Sequence, residues 1–200
     1  LLKNELISLT IAAPLATRDA NMTIRRIGGS ILDLTLNEPS NDQLSAYTPV
    51  SGRYLFHDPA LMKFGRDGNT TYWQCQSSKT VANDNTIANV EYRLTDGEAF
   101  VESTITITGD SANDIKPFDG IRADGWFKFE QSGNVAYCED SFFRQTIGFQ
   151  IPQSLKPPIW KKGRPNRLQY SDDQVVRTDG ELKWTVRIFP ATSPIDLEAI

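Results

Sequence analysis

The sequence is poor in the residues that most often carry chemistry: it has one histidine, two cysteines and two methionines, and no long apolar run. Each shortage removes a class of function. Apolar stretches such as Ile31 to Leu36 are broken by Asp or Thr within a few residues, far short of the roughly 20 apolar residues a membrane-spanning helix requires. Cys75 and Cys138 form no Cys-x-x-Cys pair, so nothing points to a zinc site or a dithiol redox site. With His57 as the single histidine, a serine triad lacks its Gly-x-Ser-x-Gly elbow and a histidine metal site lacks further ligands. There is no Asp-x-Asp-x-Asp-Gly calcium loop either, and no metal or cofactor is expected. An excess of positive charge is also missing. The 21 Lys and Arg against 25 Asp and Glu leave a net charge of -4, which argues against nucleic acid as a general partner. The chain opens Leu1-Leu2-Lys3 without an initiator Met or a signal-like run, and reads as a processed form or an excised piece.

What remains is a chain of 200 residues long enough to bury one core without a staple, so residues 1–200 are expected to form a single domain. Helical spacing is not sustained over three turns anywhere, whereas period-two alternation recurs. Ile7, Leu9 and Ile11 alternate with Ser8 and Thr10, and Leu32, Leu34 and Leu36 repeat the scheme. Val90, Tyr92 and Leu94 lead through Thr95-Asp96-Gly97-Glu98 into Val101, Ser103, Ile105 and Ile107, a hairpin with a Gly-containing loop. The same tetrapeptide, Thr178-Asp179-Gly180-Glu181, precedes the alternating set Leu182, Trp184, Val186 and Ile188. Asp67-Gly68, Asp124-Gly125 and Ser132-Gly133-Asn134 add further turns. The Pro-rich stretch Gln153 to Asn166 reads as an extended crossing loop, and Pro59 opens a short helical turn between Asp58 and Lys63. The expected fold is all-β, an antiparallel two-sheet sandwich with very little helix.

Candidate functional residues are few. His57, beside Asp58, is the best placed acid or base. Glu139-Asp140 and Asp172-Asp173 are the carboxylate pairs, but adjacent strand residues face opposite ways, so each pair supplies at most one group to a site. Tyr72-Trp73, Trp126 and Trp160 read as lying beside turns or in loops, where flat rings can stack on sugar faces, while Trp184 alternates with Leu182 and Val186 and belongs to the core. A groove built from Trp73, Trp126 and Arg144, with His57 as a polar contact, would bind a carbohydrate. The basic run Lys156, Lys161, Lys162, Arg164 and Arg167, with Trp160 inside it and no acid among them, would suit an acidic polysaccharide.

The segment Arg25-Arg26-Ile27-Gly28-Gly29-Ser30-Ile31-Leu32-Asp33-Leu34 resembles the early Gly-Gly strand of the galactose mutarotase-like proteins. Val90-Glu91-Tyr92-Arg93-Leu94-Thr95, followed by alternating Thr and Ile, is similar to their middle strands. The resemblance implies a large twisted β-sandwich, or super-sandwich, with a carbohydrate in a groove on the sheet. Epimerases of that family use histidines with a glutamate base, and one histidine here carries over no catalytic position.

Three functions follow as expectations. The first is a non-catalytic carbohydrate-binding protein of an exported compartment. The second is a mutarotase-like or hydrolytic enzyme with His57 working opposite Glu139 or Asp140. The third is a structural or protein-interaction module of a larger surface protein, with a homodimer as the simplest assembly. The cysteines bear on compartment: a Cys75–Cys138 bridge would close a loop of more than sixty residues, add roughly 4 kcal/mol of stability and favour export, whereas two buried thiols would not.

Overall fold

The protein, seen as a computed structural model, is described over residues 1–15, 27–38, 46–80, 85–122, 128–140, 145–164 and 166–192. Its regular structure is antiparallel strand, with helix limited to 3-10 turns among these residues. Alternation in sequence becomes alternation in burial. In Val101–Thr108 the residues Val101, Ser103, Ile105 and Ile107 are fully buried while the residues between them face out. The first expected hairpin joins Ile87–Thr95 to Val101–Thr108, and Gly97 turns it with φ +80. The second joins Val176–Thr178 to Glu181–Ala191, with Thr178 opposite Glu181, so Asp179-Gly180 forms a two-residue loop in which Gly180 takes φ +70. Asp67-Gly68 and Gly133-Asn134 turn two more hairpins, whereas Asp124-Gly125 lies outside the described residues. The short turn is Pro59–Leu61, capped by the Asp58 carboxylate accepting from the Ala60 amide at 2.9 Å.

Two expectations are corrected. Leu32 does not share a face with Leu34, because Thr10 pairs with Asp33 and Ile11 with Ile31. Leu32 is the extra residue of a bulge, and Ile31 and Leu34 are the ones fully buried. The Pro-rich stretch is not all loop: it contains the strand Ile159–Lys161, which pairs with Asn166–Gln169. Neither Pro158, before that strand, nor Gly163, after it, interrupts the ladder.

The strands form two large sheets. One has seven strands in the order Leu2–Lys3, Ile7–Ile11, Ile31–Leu36, Ala46–Thr48, Phe118–Arg122, Asn166–Gln169, Ile159–Lys161. The other runs Lys128–Ser132, Val135–Asp140, Gln145–Gln150, Glu181–Ala191, Val101–Thr108, Ile87–Thr95, Thr70–Gln76, Met62–Asp67, with Val176–Thr178 paired beside Glu181–Ala191. A small pair, Tyr54–Leu55 with Lys79–Thr80, accompanies them. The main core draws on both sheets, which makes the fold a β-sandwich. A second small cluster, Val135, Tyr137, Phe189 and Ala191 with Phe100 against it, is separate from that core.

Between the sheets sits Asp119, fully buried. Its Oδ2 accepts from the hydroxyls of Tyr47 at 2.8 Å and Tyr170 at 2.6 Å and from the Trp184 indole N–H at 3.1 Å, and its Oδ1 accepts from the Val50 amide at 2.9 Å. Tyr47, Tyr170 and Asp119 belong to the seven-stranded side and Trp184 to the nine-stranded side, so one carboxyl ties the layers together. Val50 reaches it with φ +47, a left-handed conformation that costs a β-branched residue roughly 1–2 kcal/mol. The Asp119 bond and the burial of its side chain hold it there. A second cross-layer bond runs from the Tyr92 hydroxyl to the carbonyl of Gly29 at 2.7 Å. Gly28 and Gly29 thus form a tight turn before the strand, where a Cβ on Gly28 would fall 2.1 Å from the Phe56 carbonyl oxygen and Gly29 takes φ +76.

Burial raises the Asp119 carboxyl above its ordinary 3.8, and its four donors pull it back only in part. A raised carboxyl stabilises the fold most while protonated, below the unfolded value, and that contribution is lost as pH rises through the folded value. Asp119→Asn should cost about 2–4 kcal/mol, because Trp184 and Val50 donate to different oxygens and an amide presents an N–H₂ to one of them. In urea unfolding the gap between wild type and Asp119→Asn should be widest below about pH 4 and narrow as pH rises. A gap that widens with pH would show the opposite shift.

Candidate functional site

On its outward side, the nine-stranded sheet carries a different set of residues from the core. Cross-strand register sets Lys63 beside Gln74, Gln74 beside Glu91, Glu91 beside Thr104, and Thr104 beside Thr185. A neighbouring row runs Gln76, Asn89, Thr106, Lys183. Apart from Thr185 these residues line a groove of about 420 Å³, with Leu61, Cys75 and Val90 also in its wall. Lys63 and Lys183 stand on strands four steps apart, about 19 Å along the sheet at the usual inter-strand spacing. The strands face this way because Ala88, Val90, Tyr92, Ile105 and Ile107, which alternate with the groove residues, are buried in the core.

The groove's hydrogen-bonding groups fall into two kinds. Glu91 is already held: the Gln74 amide donates to its Oε2, and Arg93 lies 3.2 Å from its Oε1. Thr104 and Thr185 share a hydroxyl bond of 2.9 Å. Gln76, Asn89, Thr106, Lys63 and Lys183 present amides, a hydroxyl and ammonium groups toward solvent. Neutral donors and acceptors thus outnumber charges along the floor, with a cation toward each end.

The sequence candidates are dispersed. Trp73 lies mid-strand in Thr70–Gln76, 7% exposed in the core and stacked on Tyr92 at 5.5 Å. Period two turns it inward, so it offers no ring to a ligand. Trp160 is half-buried, packed on Phe129 at 4.7 Å and Phe149 at 5.5 Å, toward the opposite end of the sandwich. Trp126 and Arg144 lie outside the described residues. His57 is half-buried just after Phe56, whose ring packs beside Gly29 and Trp73. Glu139 and Asp140 stand five strand steps from the strand of Trp73, about 24 Å away. His57 follows Tyr54–Leu55, the strand paired with Lys79–Thr80, whereas the two carboxylates end Val135–Asp140 of the nine-stranded sheet. Glu139 faces Lys128 and Thr146 across the ladder, and Asp140 is buried. Within the basic run, Lys156 pairs with Asp173 at 3.6 Å, and Arg167 lies over Phe118 at 4.7 Å. Lys161, Lys162 and Arg164 are exposed.

Sequence reasoning missed the groove because its residues are the polar half of ordinary alternating strands. The available signal was their type: Gln74, Gln76, Asn89, Thr104 and Thr106 are uncharged, whereas a purely solvated face is richer in Lys and Glu. Among the described residues no group of three or more His, Cys, Asp or Glu is placed to hold a metal ion, and no helix is long and apolar enough to cross a membrane.

No protein-family model matches the chain, and no curated protein sequence does. The fold is similar to that in the crystal structure of a TPR-domain containing protein from Parabacteroides distasonis ATCC 8503, with a TM-score of 0.59 at 14% identity. The likeness covers 99% of this chain and 48% of that one, so the chain spans about half the length of that protein.

Both cysteines are buried free thiols. They belong to one sheet and are five strands apart, so no face-to-face packing of the layers brings them into bridging distance. Burial pushes both thiols up to about 12, with Asp58 adding to the effect at Cys75. At neutral pH the folded protein should take up no iodoacetamide, whereas urea without reductant should allow one adduct on each cysteine. Intact mass reads both results, and an unlabelled, reductant-sensitive unfolded species would contradict the free thiols.

Proposed function

We propose that the chain is a carbohydrate-binding β-sandwich whose ligand lies across the strands in the outward groove of the nine-stranded sheet. The observation that carries this reading is the groove itself. Its volume falls in the range of small-ligand sites, and its floor offers amides and hydroxyls at the near-regular spacing that cross-strand pairing imposes. A polyhydroxylated chain presents donors and acceptors along its length, and such a floor meets them without a strong field. The five-strand span favours an extended ligand over a single ring. The resemblance to the mutarotase-like proteins implies a sugar in a groove on the sheet, which supports the same reading.

Binding is favoured over catalysis by the state of Glu91. Glycoside hydrolysis needs two carboxyls facing one bond, and among the described residues lining the groove Glu91 is the single carboxylate, already tied to Gln74 and Arg93. A second reading, a module within a longer polypeptide, is compatible with sugar binding and is favoured by the extent of the structural likeness, which fills about half of a larger protein. Free thiols remove the argument for export that a bridge would have supplied.

A glycan array followed by calorimetry tests the reading. Gln76→Ala and Asn89→Ala should each weaken the best neutral oligosaccharide about tenfold, the loss expected for one or two ligand hydrogen bonds, while leaving the melting temperature unchanged. Failure of every glycan to bind, or binding indifferent to both substitutions, would overturn it.

A further inference from the structure

Charge is distributed unevenly along this chain. Residues 141–171 contain six Lys and Arg and no Asp or Glu, although the chain as a whole carries a net charge of -4. The fold gathers four of these cations on one hairpin, Ile159–Lys161 with Asn166–Gln169, at the edge of the seven-stranded sheet. Lys161 stands directly opposite Arg167, Lys162 and Arg164 occupy the connecting turn, and all four are exposed. Like charges directly opposed across a ladder destabilise it. A lysine on an edge strand is a common guard against unwanted strand pairing, which accounts for Lys161 alone. It does not account for two more cations in the turn and a fourth on the inner strand.

We propose that this hairpin is a docking surface for an acidic polysaccharide. The four cations lie close together on an exposed edge, and the Arg167 guanidinium sits over the Phe118 ring at 4.7 Å while staying exposed. Lys156 is engaged by Asp173 and stands apart. Trp160 turns inward onto Phe129 and Phe149, and Phe118 is covered by Arg167, so among the described residues of this hairpin no ring is open for a base to stack on. Single-stranded nucleic acid is held by base stacking on open rings as well as by charge, and the lack of such a ring on this hairpin favours a uronic or sulfated sugar polymer. The preference for a sugar polymer rests in part on the sugar-binding reading of the opposite sheet. The attraction to a polyanion does not.

Binding of the full chain to polygalacturonate, measured by biolayer interferometry, tests the proposal. Affinity should fall as salt rises, and Lys161→Glu, Lys162→Glu and Arg164→Glu combined should weaken it by about tenfold or more. The milder Lys162→Ala with Arg164→Ala should lose a smaller part of the affinity, and Lys161→Arg with Lys162→Arg should keep it. Gln76→Ala with Asn89→Ala should leave polygalacturonate binding intact. Unchanged binding in both charge variants, or duplex DNA bound as tightly as polygalacturonate, would overturn the proposal. If the groove variant instead lost polygalacturonate, the polymer would belong to the groove and the hairpin assignment would fall. Hairpin-dependent binding together with no neutral sugar bound in the groove would uphold this surface and overturn the groove reading alone.

Discussion

The buried carboxyl of Asp119 constrains much of the rest of the sandwich. It is the acceptor for three aromatic side chains and one strained backbone amide. Each of those groups has its own reason to need it. Trp184 and Tyr170 fill the space between the layers with large apolar bodies, but each brings a polar tip that burial would leave unpaired. Placing one acceptor where the tips converge lets both sheets use aromatic volume without orphaned hydrogens. The arrangement also fixes the relative position of the layers, because Trp184 is on one sheet and Asp119 on the other. The cost is a buried titratable group, offset by four donors.

Much of the architecture was legible from alternation and turn chemistry. Both Thr-Asp-Gly-Glu turns, the Asp67-Gly68 and Ser132-Gly133-Asn134 turns and the Pro59 turn are where local residue preferences put them. Local rules failed where long-range pairing decides. The bulge at Leu32 depends on the partner strand, and the short strand in the Pro-rich stretch depends on Asn166–Gln169. Trp73 illustrates the limit for the site. Its neighbour Tyr72 and the adjoining turns made it look accessible, yet the pleat assigns it to the core. Asp119 gave no signal, since an Asp between Phe118 and Gly120 reads as one more turn residue until Tyr47, Tyr170 and Trp184 arrive around it.

The two sheets present different surfaces to solvent. The larger one offers a floor of mostly uncharged hydrogen-bonding groups around Glu91, with a lysine toward each end. At its edge the smaller one offers a compact positive strip. The polar side chains of both surfaces lie outside the core, although Cys75 and Val90 of the core also line the groove. The division follows from the pleat, which lets one strand serve burial and recognition on alternate positions.

The strand Glu181–Ala191 has an implication for how the chain acquires its shape. It follows every other described strand in sequence, yet it lies in the middle of the larger sheet, pairing with Val101–Thr108 on one side and Gln145–Gln150 on the other. It also carries Trp184, the indole that reaches Asp119. During synthesis the two halves of that sheet therefore emerge first, each with an unsatisfied inner edge, and wait for a keystone that comes last. Pairings this distant along the chain are slow to close, and open edges are sites of misassembly while they wait. The newly made protein is therefore most vulnerable to aggregation in the interval before residue 191 has left the ribosome.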